Sequence, residues 1–215
     1  YLHMEINWLG HSSVSINSRD LVLIADPYDS SDGTFMGPQQ AHIVTISHDS
    51  SKHSSVESIS GNPRVIDGPG EYEINNFYVK GFATALTTIE QGSARKINTI
   101  YTIKAEGLTL CHIGALSQKF TPSQIDDIGQ TDILFVPVTP PEDQDNTIIQ
   151  DTIIALQPRI VLPIQYTLGN PSEDLPNPGK FFDTIGATEK VPQNRLTVTE
   201  TSLPGETTSV LLNRR

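Results

Sequence analysis

The early chain is a series of short apolar runs closed by polar or glycine-containing turns. Glu5–Trp8, Ser12–Ile16 and Leu21–Ala25 read as three strands on that pattern, and His42–Ser47 reads as a fourth, buried one. Asn75-Asn76 joins Glu71–Ile74 to Phe77–Val79, and Glu106-Gly107 joins Thr99–Lys104 to Leu108–His112. Both pairs predict hairpins, because asparagine and glycine accept the left-handed backbone of a tight turn. The pattern changes at Thr121. Thr121-Pro122-Ser123-Gln124 offers a hydroxyl cap with proline in the first turn, and Gly129 ends the helix. Ile133–Pro137 and Ile160–Ile164 are buried strands, separated by a helix over Ile148–Leu156 that stops before Pro158. A further helix over Lys180–Ile185 ends at Gly186, and strands near Leu196–Glu200 and Ser209–Leu212 close the chain. Periodicity alone gives a mixed α and β domain.

Composition narrows the class. A chain of 215 residues with 36% hydrophobic residues can bury a sizeable core as one domain, expected over residues 4–215. Tyr1-Leu2-His3 reads as a cloning remnant ahead of a native Met4. The formal net charge of −11, with no Lys/Arg run, argues against nucleic acid as a partner. No apolar stretch reaches the roughly 20 residues of a membrane span, so no membrane partner is expected. Cys111 is the only cysteine, which rules out an internal disulfide and points to a cytoplasmic protein. Its place in the apolar run Leu108–Ile113 predicts a buried, inert thiol. The polar stretches Thr139–Asn146 and Asn170–Gly179 read as solvated loops, not domain boundaries.

Candidate chemistry concentrates after the fourth strand, in Thr45-Ile46-Ser47-His48-Asp49-Ser50-Ser51-Lys52-His53-Ser54. Two histidines five positions apart stand on a polar turn. Five further blocks follow a fixed order around this loop: Trp8-Leu9-Gly10-His11-Ser12-Ser13, Leu23-Ile24-Ala25-Asp26-Pro27, Gly68-Pro69-Gly70-Glu71-Tyr72-Glu73-Ile74, Cys111-His112-Ile113-Gly114, and Pro158 to Ile164. In that order they resemble the metallo-β-lactamase superfamily, in its lactonase-like, zinc-dependent hydrolase branch. The resemblance spans roughly residues 5 to 166. It implies a four-layer αββα sandwich, an α/β (α+β) fold, with the histidine loop at the edge of the sheets.

The same resemblance implies a two-zinc centre whose loop pattern His-x-His-x-Asp-His falls on His48, Ser50, Lys52 and His53. Only the outer two keep a ligating side chain, since serine is a poor zinc ligand and an ammonium has no lone pair. The family's third histidine is expected near Thr84-Ala85-Leu86-Thr87-Thr88, where there is none. Its bridging aspartate falls on Ala115 and its last histidine on Gln165. Four residues remain as cavity candidates: His11, Asp26 as an orienting carboxylate or a loop cap, Asp49 as a turn-forming carboxylate, and Tyr166. With Gln165, Tyr166 would offer an amide and a phenol to the old cavity. His112 and His42 read as structural. No cofactor is therefore expected, and the favoured reading is a non-catalytic protein that binds a small molecule or assembles, including as a homo-oligomer. The alternative is a hydrolase with a remodelled, single-metal or metal-free site, and only there would zinc be required. The many serines near His48 form no Gly-x-Ser-x-Gly elbow. Lys52 would either reach across the vacated cavity or extend into solvent.

Overall fold

A computed structural model describes residues 3–28, 36–50, 52–86, 96–138, 147–169, 175–187 and 191–215. Thr139–Asn146, most of the loop after Gly169, Tyr1, Leu2, Ser51, Thr87 and Thr88 lie outside the described residues. In chain order the first strands are β1 (Met4–Gly10), β2 (Ser13–Ser18), β3 (Leu21–Ala25), β4 (Gln39–Gln40), β5 (Ile43–Thr45), β6 (Ile59–Ser60) and β7 (Arg64–Ile66). Then come β8 (Gly70–Ile74), β9 (Phe77–Ala85), β10 (Ile97–Ala105), β11 (Leu108–His112), α1 (Pro122–Ile128), β12 (Ile133–Pro137), α2 (Thr147–Leu156) and β13 (Ile160–Ile164). The chain closes with α3 (Gly179–Thr184), β14 (Leu196–Val198) and β15 (Thr208–Ser209).

Two sheets carry the fold. The first has the order β14-β1-β2-β3-β5-β7 and the second β15-β13-β12-β11-β10-β9-β8. Each is antiparallel where hairpins join neighbours and parallel where the chain crosses over, as at β3/β5/β7 and β11/β12/β13. Apolar residues of the two inner faces form one core: Met4, Ile6, Trp8, Val14 and Ile16 from the first sheet join Phe77, Val79, Tyr101 and Ile103 from the second. The Tyr101 hydroxyl crosses that core to donate to Ile46 O at 2.9 Å. Ile128, Ile149, Leu156, Phe181 and Phe182 bring the helices onto the same cluster. The far face of the first sheet has its own cluster, Leu9, Ile24, Tyr28, Met36, Ala41, Val44, Ile46 and Ile59. Among the described residues this outer layer is a 3-10 turn, Val56–Ser58, and the ribbon β4/β6, thinner than the helices opposite. The αββα sandwich is the fold of this chain.

Local chemistry explains most boundaries. Thr121 caps α1 with a complete capping box to Gln124, and Gly129 ends it at φ +70°. Asn75 (φ +54°) and Glu106 (φ +52°) make the two hairpin turns. Three differences from expectation have physical causes. The strand expected over His42–Ser47 is only Ile43–Thr45, because the Ser47 N–H turns to a carboxylate instead of a neighbouring strand. The strand expected over Ser209–Leu212 is only Thr208–Ser209; beyond it the chain leaves the second sheet, bridges Gln193 through Leu212 and reaches Trp8 through Arg214. β4, β6 and β7 are two or three residues long, too short to leave a period in the sequence. No helix among the described residues is long and apolar enough to cross a membrane.

Candidate functional site

The C-terminal ends of β3, β5 and β11 converge at one edge of the sandwich. Asp26, directly after β3, has φ +47° and donates its N–H to Thr45 O, the last residue of β5, at 2.9 Å. This turns its carboxylate beneath the histidine loop, where it is 1% exposed. Oδ1 accepts from Ser47 N at 2.7 Å; Oδ2 accepts from Ser47 Oγ at 2.6 Å and lies 2.9 Å from His53 Nδ1. Burial by itself would raise the pKa of this carboxyl, but the imidazole of His112 at 4.0 Å and the hydrogen bond from His53 outweigh it. Asp26 is thus held well below the usual carboxylate range and is an ionised acceptor.

An ionised Asp26 fixes the direction of every bond around it. His53 Nδ1 must donate. The single Ser47 hydroxyl proton goes to Asp26, so Ser47 Oγ accepts from His48 Nδ1 at 2.9 Å. Both histidines are held through Nδ1, the arrangement by which a carboxylate orients a ligating imidazole so that it presents Nε2. Their ring centroids lie 4.0 Å apart at 44°. The turn between them closes on Ser50, whose carbonyl accepts from His53 N and Ser54 N at 2.9 Å and from Ser54 Oγ at 2.7 Å.

The other expected residues divide into those at this centre and those away from it. His112 is fully buried beside Asp26 and uses both ring nitrogens, Nε2 donating to Ser12 O (3.0 Å) and Nδ1 accepting from Gly114 N (3.3 Å). Gln165 (φ +59°) donates Nε2 to Ser12 Oγ at 2.5 Å and its N–H to His11 O at 2.8 Å. His11 is buried edge-on against Tyr28 at 4.6 Å. Ala115 donates N–H to Asn98 Oδ1 at 2.9 Å, and Asn98 Nδ2 bonds Thr84 Oγ1 and Ile113 O, both at 3.0 Å. Asp49 and Ser50 are half-buried on the loop, and Lys52 is exposed. His42 stays at the strand edge, accepting from Val22 N at 3.1 Å. Cys111 is fully buried, which pushes its thiol up to about 12, as an inert thiol requires.

Tyr166 corrects an expectation. It is not a cavity residue: it lies fully buried, stacked on Trp8 at 4.0 Å and 18°, with its hydroxyl bonded to Leu212 N and O. Its neighbour Gln165 is in the left-handed region, and the turn it makes sends the next side chain into the core. Ser47 and Asn98 were not foreseen as site residues. Ser47 could have been found as the residue preceding the histidine pair at a strand end, whereas Asn98 looks like any polar residue starting a strand.

Asp26, His48 and His53 form a cluster of metal-ligating side chains with ligand atoms within 4.8 Å of one another. As a donor set it does not fit a two-metal centre. The Asp26 oxygens already receive three hydrogen bonds, so this carboxylate orients and does not lead the ligation. Where the resemblance calls for further ligands, there are a hydroxyl on a closed turn (Ser50), an exposed ammonium (Lys52), a methyl (Ala115) and an amide bonded to Ser12 (Gln165). Two imidazoles are fewer than the three or four protein ligands of a stable zinc site.

Gly114 is what lets β11 approach the loop. It has φ +55°, and a Cβ there would lie 2.3 Å from Asn98 Oδ1 and 2.6 Å from Ser47 Cβ. Gly114→Ala is expected to cost about 3 kcal/mol, a fall of about 9 °C in Tm. An unchanged thermal unfolding midpoint would show that the centre is loosely packed.

An αββα sandwich with a histidine loop where β-strand ends meet defines a metallohydrolase-type scaffold. The chain belongs to the metallo-β-lactamase superfamily: residues 5–165 match the family model described as the β-lactamase superfamily domain. A candidate zinc-dependent hydrolase of that superfamily from Thermotoga maritima is similar at 26% identity and TM-score 0.75, over 97% of this chain and 98% of that one. A metallo hydrolase from Ignicoccus hospitalis shares the fold at 13% identity and TM-score 0.64, over 91% and 98%. A candidate metal-dependent hydrolase from Parabacteroides distasonis does so at 16% and 0.61, over 99% and 94%. No curated protein sequence matches the chain.

Proposed function

We propose that this chain is a catalytically degenerate member of its superfamily, working through binding or assembly instead of metal-dependent hydrolysis. The observation that carries this reading is the set Ser50, Lys52, Ala115 and Gln165 at positions where the family resemblance calls for ligands. Hydrolysis by this scaffold needs a bound water whose pKa falls to about 7, which requires a firmly held cation. The ligand in this reading is a small molecule or a second copy of the chain, in the cytoplasm. The charge of −11 supports the absence of a nucleic-acid partner, and the lone buried Cys111 supports the compartment.

A second reading, a hydrolase with a single-metal site, is favoured by the cluster Asp26, His48 and His53 and by the description of the Thermotoga maritima protein. In it His48 and His53 would hold the cation, with Asp26 orienting them, and the cation would supply an activated water.

Elemental analysis of protein purified without chelators separates the two. Zinc and iron well below one per chain, with no chelator-sensitive hydrolysis of lactones or phosphodiesters, is the expected result. Near-stoichiometric metal that His48→Ala and His53→Ala both abolish would transfer the conclusion to the single-metal hydrolase.

A further inference from the structure

The helix-covered side of the second sheet carries a cleft of about 490 Å³ beside its edge strand β15. Ile153 and Ile154 line it from α2, Ile185 and Ala187 from the end of α3 and the segment beyond, and Val161 and Ser209 from the sheet. Val161 stands toward the opposite end of β13 from Gln165, and no residue of the histidine centre lines the cleft. The lining is uncharged throughout, in a chain where 18% of residues carry charge. Ser209 registers with Val161, so the two side chains share one face of the sheet. Ser209 is 6% exposed, and its hydroxyl meets no hydrogen-bond partner among the described residues. A hydroxyl so buried is normally paired, which places this one for a partner entering the cleft. The Thr207 hydroxyl, by contrast, is committed to Pro158 O at 2.6 Å. The backbone adds a second polar feature. Thr208 and Val210 direct their N–H groups to Arg159 O and Val161 O, both at 3.0 Å, which turns the Ser209 N–H and C=O to the free side of the edge strand.

We infer that this cleft binds a small uncharged molecule carrying a secondary amide and a branched apolar group. The amide pairs with the Ser209 hydroxyl and edge backbone, as a neighbouring strand's peptide group would, while the apolar group displaces water from Ile153, Ile154 and Ile185. A charged ligand is disfavoured because no side chain in the lining can neutralise it. The site is separate from the degenerate metal centre and goes beyond the reading given for that centre.

The test is a titration of the full chain with N-acetyl-leucine methylamide, followed by amide chemical shifts, with N-acetyl-aspartate methylamide as the charged counterpart. Saturable shifts at Ser209, Ile154 and Ile185 in the millimolar range are expected with the leucine probe and not with the aspartate one. Ser209→Ala should weaken binding about fivefold, by removing the hydroxyl alone. Ile154→Glu and Ile154→Lys should each weaken it at least about tenfold, because a charge of either sign spoils an uncharged cleft. Ile154 is 69% exposed, so both variants are expected to fold, which a thermal midpoint within about 2 °C of the parent would verify. Absence of saturable shifts, equal binding of the aspartate probe, shifts centred on the histidine loop, or unchanged affinity in Ser209→Ala and the Ile154 variants overturns the inference. Stoichiometric zinc at His48 and His53 would overturn the degenerate-centre reading and leave the response of this cleft as it is, so the two fail separately.

Discussion

Asp26→Ala is expected to remove about 4 kcal/mol of folding stability at neutral pH, a large share of the 5–15 kcal/mol that holds a typical domain. The substitution takes away one acceptor and strands three donors: Ser47 N–H, Ser47 O–H and the His53 Nδ1–H. Each buried donor left without a partner costs about 1–3 kcal/mol, reduced wherever water can follow. Asp26→Asn should cost less, since an amide keeps one acceptor oxygen for Ser47 N, but it cannot serve all three. The carboxyl is also a pH sensor of folding. Its folded-state pKa is depressed: burial opposes ionisation, and the imidazoles of His112 and His53 more than compensate. Its stabilisation is therefore fully present above the ordinary aspartate value of about 4 and declines as pH falls below that toward the folded value. Denaturant unfolding of parent and Asp26→Ala should show a gap that is constant near neutrality and narrows in acid. A gap independent of pH down to the acid limit would mean that Asp26 does not act as an ionised acceptor.

The same residue shows how far the sequence alone could be read. Asp26-Pro27 after an apolar run allows an orienting carboxylate and a loop cap equally, and the fold makes it both: its backbone turns the chain at φ +47° while its carboxylate orients His53. Most strands of five or more residues were legible because alternation and turn residues are local signals, as in β3 and β13, whose bounds match expectation, although β9 runs six residues past the expected Phe77–Val79. The histidine loop was legible because its motif is contiguous. Contacts made by residues far apart in sequence were not. Asn98 ties Thr84, Ile113 and Ala115 together across three segments, and no period or motif announces that. Tyr166 was misplaced for a related reason: adjacency to Gln165 suggested a shared cavity, but the left-handed turn at Gln165 sends the next side chain into the core, and the partner that claims the phenol, Leu212, is 46 positions on. Thr84 at the expected third-histidine region is buried in that same Asn98 network, which leaves Ala85 and Leu86 as the described neighbours nearer the surface.

Combining Ser50→His, Lys52→Asp, Ala115→Asp and Gln165→His is expected to raise zinc affinity by at least about 100-fold, enough for the ion to survive dialysis that strips the parent. The outer support for such a centre is already built, since Asp26 and Ser47 hold His48 and His53 by Nδ1 in the orientation a ligating imidazole needs. Restoring inner donors therefore requires no new backbone. Position 165 has φ +59°, a region histidine tolerates better than most side chains, and position 115 is half-buried and follows a glycine turn. Lys52→Asp alone should change zinc affinity little, because a carboxylate without the ligands around it makes a weak site; the gain should appear only when the substitutions are combined. Zinc per chain after dialysis, with circular dichroism to establish folding, reads the outcome. A folded fourfold variant that retains no zinc would show that the loss of ligands was accompanied by a rearrangement of the loop itself. Adding Asp26→Asn to the fourfold variant should then lower zinc retention, since His53 would lose the acceptor that aims it at the ion.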